Sequence, residues 1–265
     1  MSAEPRVSAL YVYPVKACRG IRVDSARIVA RGFEHDRRYL IVDPSGRFVT
    51  QRELPELALV TTSIEAGGIV LRHAGHPECA LPFEHDSAEV LEVSVWSHSG
   101  PAFRHAPGSA WLSAVLGRRV NLVFMPESHR RAVNPERARP GDIVSFADAY
   151  PFLVISEASL ADLNSRLETP LVMERFRPNI VVSGVPPFAE DAWRHVRLGA
   201  VGFRGVKRCD RCSVTTVDPD TGVRGKEPLR TLATYRREDG KVWFGMNLIH
   251  DGEGTLAVGD LVRAA

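Results

Sequence analysis

Cysteine is scarce in this sequence: Cys18, Cys79, Cys209 and Cys212 are the only four among 265 residues. That is too few for the disulfide framework of a small secreted domain, so free thiols in a reducing compartment are expected, available as metal ligands. A surplus of one charge is also missing. Thirty-four Lys and Arg face 32 Asp and Glu, for a net charge of +2, which gives no electrostatic case for wrapping nucleic acid or an anionic membrane. No run of about 18 apolar residues is present to cross a bilayer. The opening Met-Ser-Ala-Glu-Pro-Arg-Val has no apolar stretch behind a basic one, as a secretory signal would. The expectation is a cytoplasmic protein without nucleic-acid or membrane partners. Several enzyme classes lack their signatures: there is no G-x-S-x-G elbow, no Walker A loop and no H-E-x-x-H pair. The nine histidines are scattered singly.

What remains is core-forming material in ordinary proportion, 44 % hydrophobic and 25 % charged, enough for one large or two small domains. The first part reads as short strands, at 7–13, 25–30, 39–42, 48–50, 57–64, 68–72 and 91–96, interrupted by turn residues. Asp43-Pro44-Ser45-Gly46 is a hairpin signal, because proline presets φ and glycine accepts a positive one. A helix is expected over 109–116 with Ser109 as its N-cap. Residues 127–139, charged and punctuated by Pro126, Pro135 and Pro140, read as a long loop joining two domains, 1–125 and 126–265. Beyond it comes an apolar strand at 151–155. An amphipathic helix follows over 157–167, capped by Ser156, with Leu160, Leu163 and Leu167 on one face. Further strands are expected at 180–183, 196–198, 201–204, 213–217, 241–248, 255–258 and 261–262, with a short helix at 229–235. The chain is therefore mostly β with a few helices, and barrel-like packing is favoured over a doubly wound sheet.

The sharpest local feature is Lys207-Arg208-Cys209-Asp210-Arg211-Cys212, two thiols three apart among three basic side chains. Neighbouring cations favour the thiolate, the form that binds metal or attacks. Four readings stay open on the residues alone: half of a structural zinc site, a redox dithiol, two buried core cysteines, or a single thiolate ligating a metal whose other sulfur ligands come from an organic cofactor. An anionic cofactor needs cationic anchors. Lys16, Arg37 in Asp36-Arg37-Arg38, and Arg177 in Phe176-Arg177-Pro178-Asn179 are the candidates.

Three stretches together resemble the MOSC family of molybdenum-cofactor proteins, in the branch with a MOSC N-terminal β-barrel region and most closely its amidoxime-reducing members. They are Leu10–Gly20, Phe176–Gly184 with Phe188–Trp193, and Cys209–Gly222. The resemblance implies an N-terminal β-barrel-like domain followed by a MOSC β-barrel domain. It also implies a molybdopterin-type cofactor with Cys212 as the protein's ligand to molybdenum. The family's cofactor contacts carry over to Lys16, Arg37, Arg177, Asn179, Asp210, Arg211 and Cys212. Asn247 falls where the family has an aromatic hydroxyl near the cofactor. Thr215 and Asp218, just beyond the ligand, are expected on the substrate side, although Val217-Asp-Pro-Asp-Thr-Gly222 is also good turn chemistry. The chain departs from the amidoxime reducers at Ala17, Ala149 and Tyr150, where they carry small hydroxyl residues. The implied activity is reduction of N-hydroxylated or N-oxygenated small molecules. The cysteine cluster of a [2Fe–2S] domain has no counterpart, so the electrons are expected from a separate donor protein. Two other readings of the same thiol are a persulfide-carrying sulfurtransferase and a non-enzymatic carrier of the molybdenum cofactor.

Overall fold

The computed structural model describes residues 4–264. In chain order the first part comprises β1 (Arg6–Val12), β2 (Ile21–Val23), β3 (Ser25–Val29), β4 (Gly32–Phe33), β5 (Tyr39–Val42), β6 (Thr61–Glu65), β7 (Gly68–Arg72), β8 (Cys79–Leu81), β9 (Val90–Val95), β10 (His98–Arg104), α1 (Ala106–Val115) and β11 (Asn121–Phe124). The second comprises β12 (Phe152–Ser156), α2 (Glu157–Asn164), β13 (Ile180–Ser183), β14 (His195–Leu198), β15 (Val201–Asp210), α3 (Leu229–Leu232), β16 (Arg237–Glu238), β17 (Lys241–His250), β18 (Gly254–Ala257) and β19 (Val262–Ala264). The protein is mostly β, as the sequence implied. No helix among the described residues is long and apolar enough to cross a membrane.

The main sheet runs β19-β14-β15-β17-β12-β13-β1-β2, with β16 added on β17. Its central strands are buried on both faces, and the two-residue side-chain period divides them between two cores. Leu10 and Val12 of β1, Phe152 and Val154 of β12, and Met246 and Leu248 of β17 join one cluster. Their neighbours Tyr11, Leu153 and Ile155 join the other, beneath α2 and α3, as does Phe244 on the far side of the positive-φ Gly245 of β17. The strands β12 and β13 are parallel, so a crossover must join them, and α2 lies in it. Ser156 caps that helix by accepting from the Ser159 backbone N–H at 3.1 Å. The helix stops at Asn164, three residues before the expected end.

Strands from the first part of the chain complete sheets from the second. The strand β1 pairs with β13, and β3 pairs with β18, so a break near 125 is crossed by shared hydrogen-bond ladders. The remaining strands form a sheet ordered β5-β11-β10-β9 and a small one, β6-β7-β8.

Several local expectations are corrected. Residues 57–60 are not strand: Pro55 opens a 3-10 turn through Leu59. The Asp43–Gly46 turn forms, but 48–50 contributes only a bridge, Val42 to Phe48. The N-cap of α1 is His105, whose ring accepts from the Gly108 N–H at 3.0 Å. Ser109 sits inside the helix, and its hydroxyl donates to the His105 carbonyl at 2.8 Å. Residues 213–216 form a 3-10 turn rather than a strand. The strand β10 was hidden by Gly100 and Pro101. Proline is tolerated there because β11 pairs only with Phe103 and Arg104.

Candidate functional site

The long strand β15 runs beside β17 with irregular register at Gly205/Lys207 and Arg208/Asp210. Such irregularities bend a strand and re-aim its side chains. Cys209 is its penultimate residue, and Cys212 lies just beyond, at the N-cap of the turn Ser213–Thr216. The two thiols differ in circumstance. Cys209 is half-buried. Arg211 Nη1 donates to its sulfur at 2.9 Å while Nη2 donates to the Phe176 carbonyl at 2.7 Å. Burial pushes the Cys209 thiol up despite the adjacent Arg211. Cys212 is exposed, and Arg52 Nη1 is 3.5 Å from its sulfur.

Both thiols line a cleft of about 240 Å³. Its opposite wall grows from the segment after β1. Tyr13 there is 1 % exposed, its hydroxyl donates to the Pro178 carbonyl at 2.9 Å, and its ring carries two guanidiniums. Those of Arg37 and Arg177 each lie 4.4 Å from the ring centroid. Arg37 Nη1 also donates to Asp36 at 2.6 Å and to Asn179 Oδ1 at 3.1 Å. Arg177 Nη1 donates to the Cys18 carbonyl at 2.8 Å. Both arginines adopt left-handed backbone, φ 51° and 54°, as does neighbouring Ala17 at 73°. Three such non-glycine residues on one cleft wall is strain of the kind that concentrates at working sites.

Lys16 is buried with its ammonium donating to the Phe146 carbonyl at 2.8 Å and to Asp148 Oδ1 at 2.6 Å. Burial pushes this ammonium down to about 8, against the pull of Asp148. Asp148 is exposed at the surface of the cleft; desolvation by the cleft walls opposes its charge as well, yet Lys16 and the Trp96 indole N–H, donating at 3.2 Å, hold its carboxyl well below the usual range.

The structure brings Lys16, Arg37, Arg177, Asn179, Asp210, Arg211, Cys212 and Asn247 to this one cleft. Ala17, Ala149 and Tyr150, the three departures from the amidoxime reducers, line it too. Thr215 and Asp218 do not reach it. Thr215 is 1 % exposed, and its hydroxyl donates to the Cys212 carbonyl at 2.9 Å. Asp218 accepts from the backbone N–H groups of Asp220 and Thr221 and from Arg175. Thr215 secures the turn that follows Cys212, and Asp218 secures the next one, through Thr221. The cleft also holds Lys207 and Arg208 from the C-x-x-C motif, and residues that no motif had marked: Gln51, Arg52 and Asp148.

Seven of the lining side chains are Lys or Arg and two are Asp, a strong local surplus in a chain of net charge +2. Arg211 adds a buried Nε without a hydrogen-bond partner. No cluster of three or more metal-ligating side chains occurs among the described residues. One exposed thiol in a cationic cleft therefore fits a soft metal that arrives with its other ligands on an anionic, phosphate-bearing organic group. It does not fit a protein-built tetrahedral zinc centre.

Comparison with known proteins identifies the family. Residues 4–119 match the MOSC N-terminal beta barrel domain and residues 141–263 match the MOSC domain. Mitochondrial amidoxime-reducing component 1 of Homo sapiens is 37 % identical, over 97 % of this chain and 82 % of that protein. The Mus musculus protein of the same name is 38 % identical over 97 % and 81 %. Mitochondrial amidoxime reducing component 2 of Bos taurus is 35 % identical over 97 % and 82 %. Among solved structures, the YUAD protein of Bacillus subtilis aligns over 98 % of this chain and 94 % of its own, with 12 % identity and a TM-score of 0.46.

Proposed function

This chain belongs to the MOSC-domain family, and on that premise we propose that it is a molybdenum-cofactor-dependent reductase of N-hydroxylated small molecules, with electrons supplied by a separate protein. The observation that carries the reading is the exposed Cys212 sulfur at the edge of a cleft lined by seven cations and two carboxylates. The relatives named for amidoxime reduction supply the substrate class.

Bound in the cleft, the molybdenum group would supply oxygen-atom removal from an N–O bond, the net change being R–N–OH plus two electrons and two protons to R–N–H plus water. The chain's own residues bind and orient. Cys212 offers a single sulfur ligand. Arg37 and Arg177, fixed on Tyr13, present planar guanidiniums suited to bidentate phosphate contact, and Lys16 adds a point charge. Asn179 keeps Arg37 in place, donating to Asp36 at 3.2 Å and to the Tyr11 carbonyl at 3.3 Å. Arg211 occupies the Cys209 sulfur at 2.9 Å, whereas Cys212 is the exposed thiol of the pair, with Arg52 only at 3.5 Å. Asp210 and Asn247 complete the lining. Asn247 donates to the Lys207 carbonyl at 3.0 Å, which steadies the basic end of β15.

Elemental mass spectrometry on protein purified from a cofactor-producing host tests the reading. About one molybdenum per chain is expected in the wild type and little in Cys212→Ala, together with turnover of N-hydroxylated substrates when a reduced donor is present. Zinc, or no metal at all, would overturn the assignment. A stable sulfur adduct on Cys212 without metal would turn it toward sulfur transfer.

A further inference from the structure

The hairpin joining β9 to β10 turns through only two residues, Trp96 and Ser97. Trp96 takes the left-handed φ of 57° at the first central position, the place that glycine normally fills in such a turn. A bulky aromatic there is strained, and the strain is not repaid by burial, since the residue is 56 % exposed. The side chain is nevertheless held. Its indole N–H donates to Asp148 Oδ1 at 3.2 Å. The Arg52 guanidinium lies 4.7 Å from its ring centroid, and the Phe48 ring stands 5.1 Å away, tilted by 58°. Asp148 and Arg52 both line the cleft, and the same Arg52 guanidinium reaches the Cys212 sulfur. A strained, exposed but oriented indole thus contacts two residues that line the cleft, one side chain removed from the Cys212 thiol.

We propose that Trp96 is a specificity-determining residue, stacking on a planar, π-conjugated part of the substrate and so favouring aryl over alkyl N-hydroxylated compounds. The inference rests on the reductase reading above. An indole offers a large, rigid face to an offset-stacked ring, and an alkyl group of similar polarity gains far less from it. Because Asp148 and Arg52 already fix the ring, little side-chain freedom is lost on binding. The ring contacts Asp148, Arg52 and Phe48 while more than half of the residue stays open to solvent.

The test compares benzamidoxime with acetamidoxime in the cofactor-loaded protein supplied with reduced donor. Trp96→Ala is expected to raise KM for benzamidoxime about five- to tenfold, with kcat within twofold and the acetamidoxime KM unchanged. Trp96→Phe should restore most of the preference. Trp96→Gly, which relieves the backbone strain, should lose the preference while keeping or raising the Tm, an outcome opposite to that of a merely structural residue. Equal KM shifts for both compounds, no shift for either, or a changed KM for the donor alone would overturn the proposal. A second readout needs no turnover: without donor, benzamidoxime should saturably quench a component of the indole emission of wild type that is missing in Trp96→Phe, which keeps Trp111, Trp193 and Trp243. A protein that reduces neither compound overturns the reductase reading, and the quenching titration still decides on Trp96, its absence counting against stacking.

Discussion

Arg52 places a guanidinium nitrogen 3.5 Å from the sulfur of Cys212, across 160 positions of sequence. The contact is braced from the second half of the chain, where Arg224 Nη2 donates to the backbone carbonyls of Gln51 and Arg52, each at 2.8 Å. Arg52→Ala should therefore speed loss of molybdenum on dialysis and lower turnover for every substrate, while changing stability by about 1 kcal/mol or less, as for most surface side chains. Arg224→Ala should reproduce the metal loss in milder form without touching either thiol. Retention times for molybdenum that match wild type in both variants would remove Arg52 from the site.

The two cysteines of the C-x-x-C should separate in the same protein. Native alkylation followed by peptide mass mapping is expected to label Cys212 first. Cys209 should follow, because burial pushes its thiol up and Arg211 occupies its sulfur. Cys79 is buried and Cys18 is both buried and pushed up to about 12, so both should stay unlabelled until the protein unfolds. In the loaded protein Cys209→Ala should keep its molybdenum where Cys212→Ala loses it.

The Lys16–Asp148 pair carries a pH signature with a definite sign. Burial lowers the Lys16 ammonium from its ordinary 10.5 to about 8, so between these values the native state binds fewer protons than the unfolded chain. Stability from this group consequently rises with pH across that window, and below it the cost of the buried charge is constant. Asp148 works in the opposite direction: its carboxyl is lowered, so its contribution is present above the ordinary carboxylate range and fades as pH falls through the native value. Asp148→Asn should cost about 1–2 kcal/mol at pH 6.5, screened because the Asp148 side chain is 63 % exposed, and markedly less at pH 9, where Lys16 is neutral. Urea denaturation at both pH values checks this, and an equal loss at each would show that the charge is not the cause.

Tyr13 is the hinge on which two cationic anchors hang. Tyr13→Phe keeps the ring under Arg37 and Arg177 and removes one hydrogen bond, so a loss of about 1 kcal/mol is expected, with molybdenum retained. Tyr13→Ala should cost about 3–5 kcal/mol as a large-to-small core substitution and release both guanidiniums, with a fall in molybdenum content larger than the Phe variant shows. Equal metal content in the two variants would mean that the stack does not place the anchors.

Much of the fold was legible because its signals are local. The strands β5, β7 and β13 fall where β-branched or aromatic runs are closed by turn residues, and Ser156 marks the start of α2. The misses have local causes as well. Pro101 suppressed a strand whose unpaired side tolerates it, and a two-residue strand such as β4 is too short for any periodicity. Within the site, Arg37, Arg177 and Asn179 were legible through the motifs that flank them. Arg52 and Asp148 were not, because each reaches the cleft only by non-local packing, and their immediate sequence resembles any surface loop. Thr215 and Asp218 lie outside the cleft lining for a related reason: proximity to Cys212 along the chain does not by itself carry a side chain into the cleft.

The antiparallel pairing of β1 with β13 sets a timetable. A nascent chain emerging from the ribosome has β1 almost at once, but its partner appears only after some 170 further residues. The walls around Cys212 wait longer still, since β15 must be flanked by β17. Pairings this distant along the chain close slowly. The cationic cleft is therefore among the last parts of the fold to be assembled, after β17 has been made and has paired with β15.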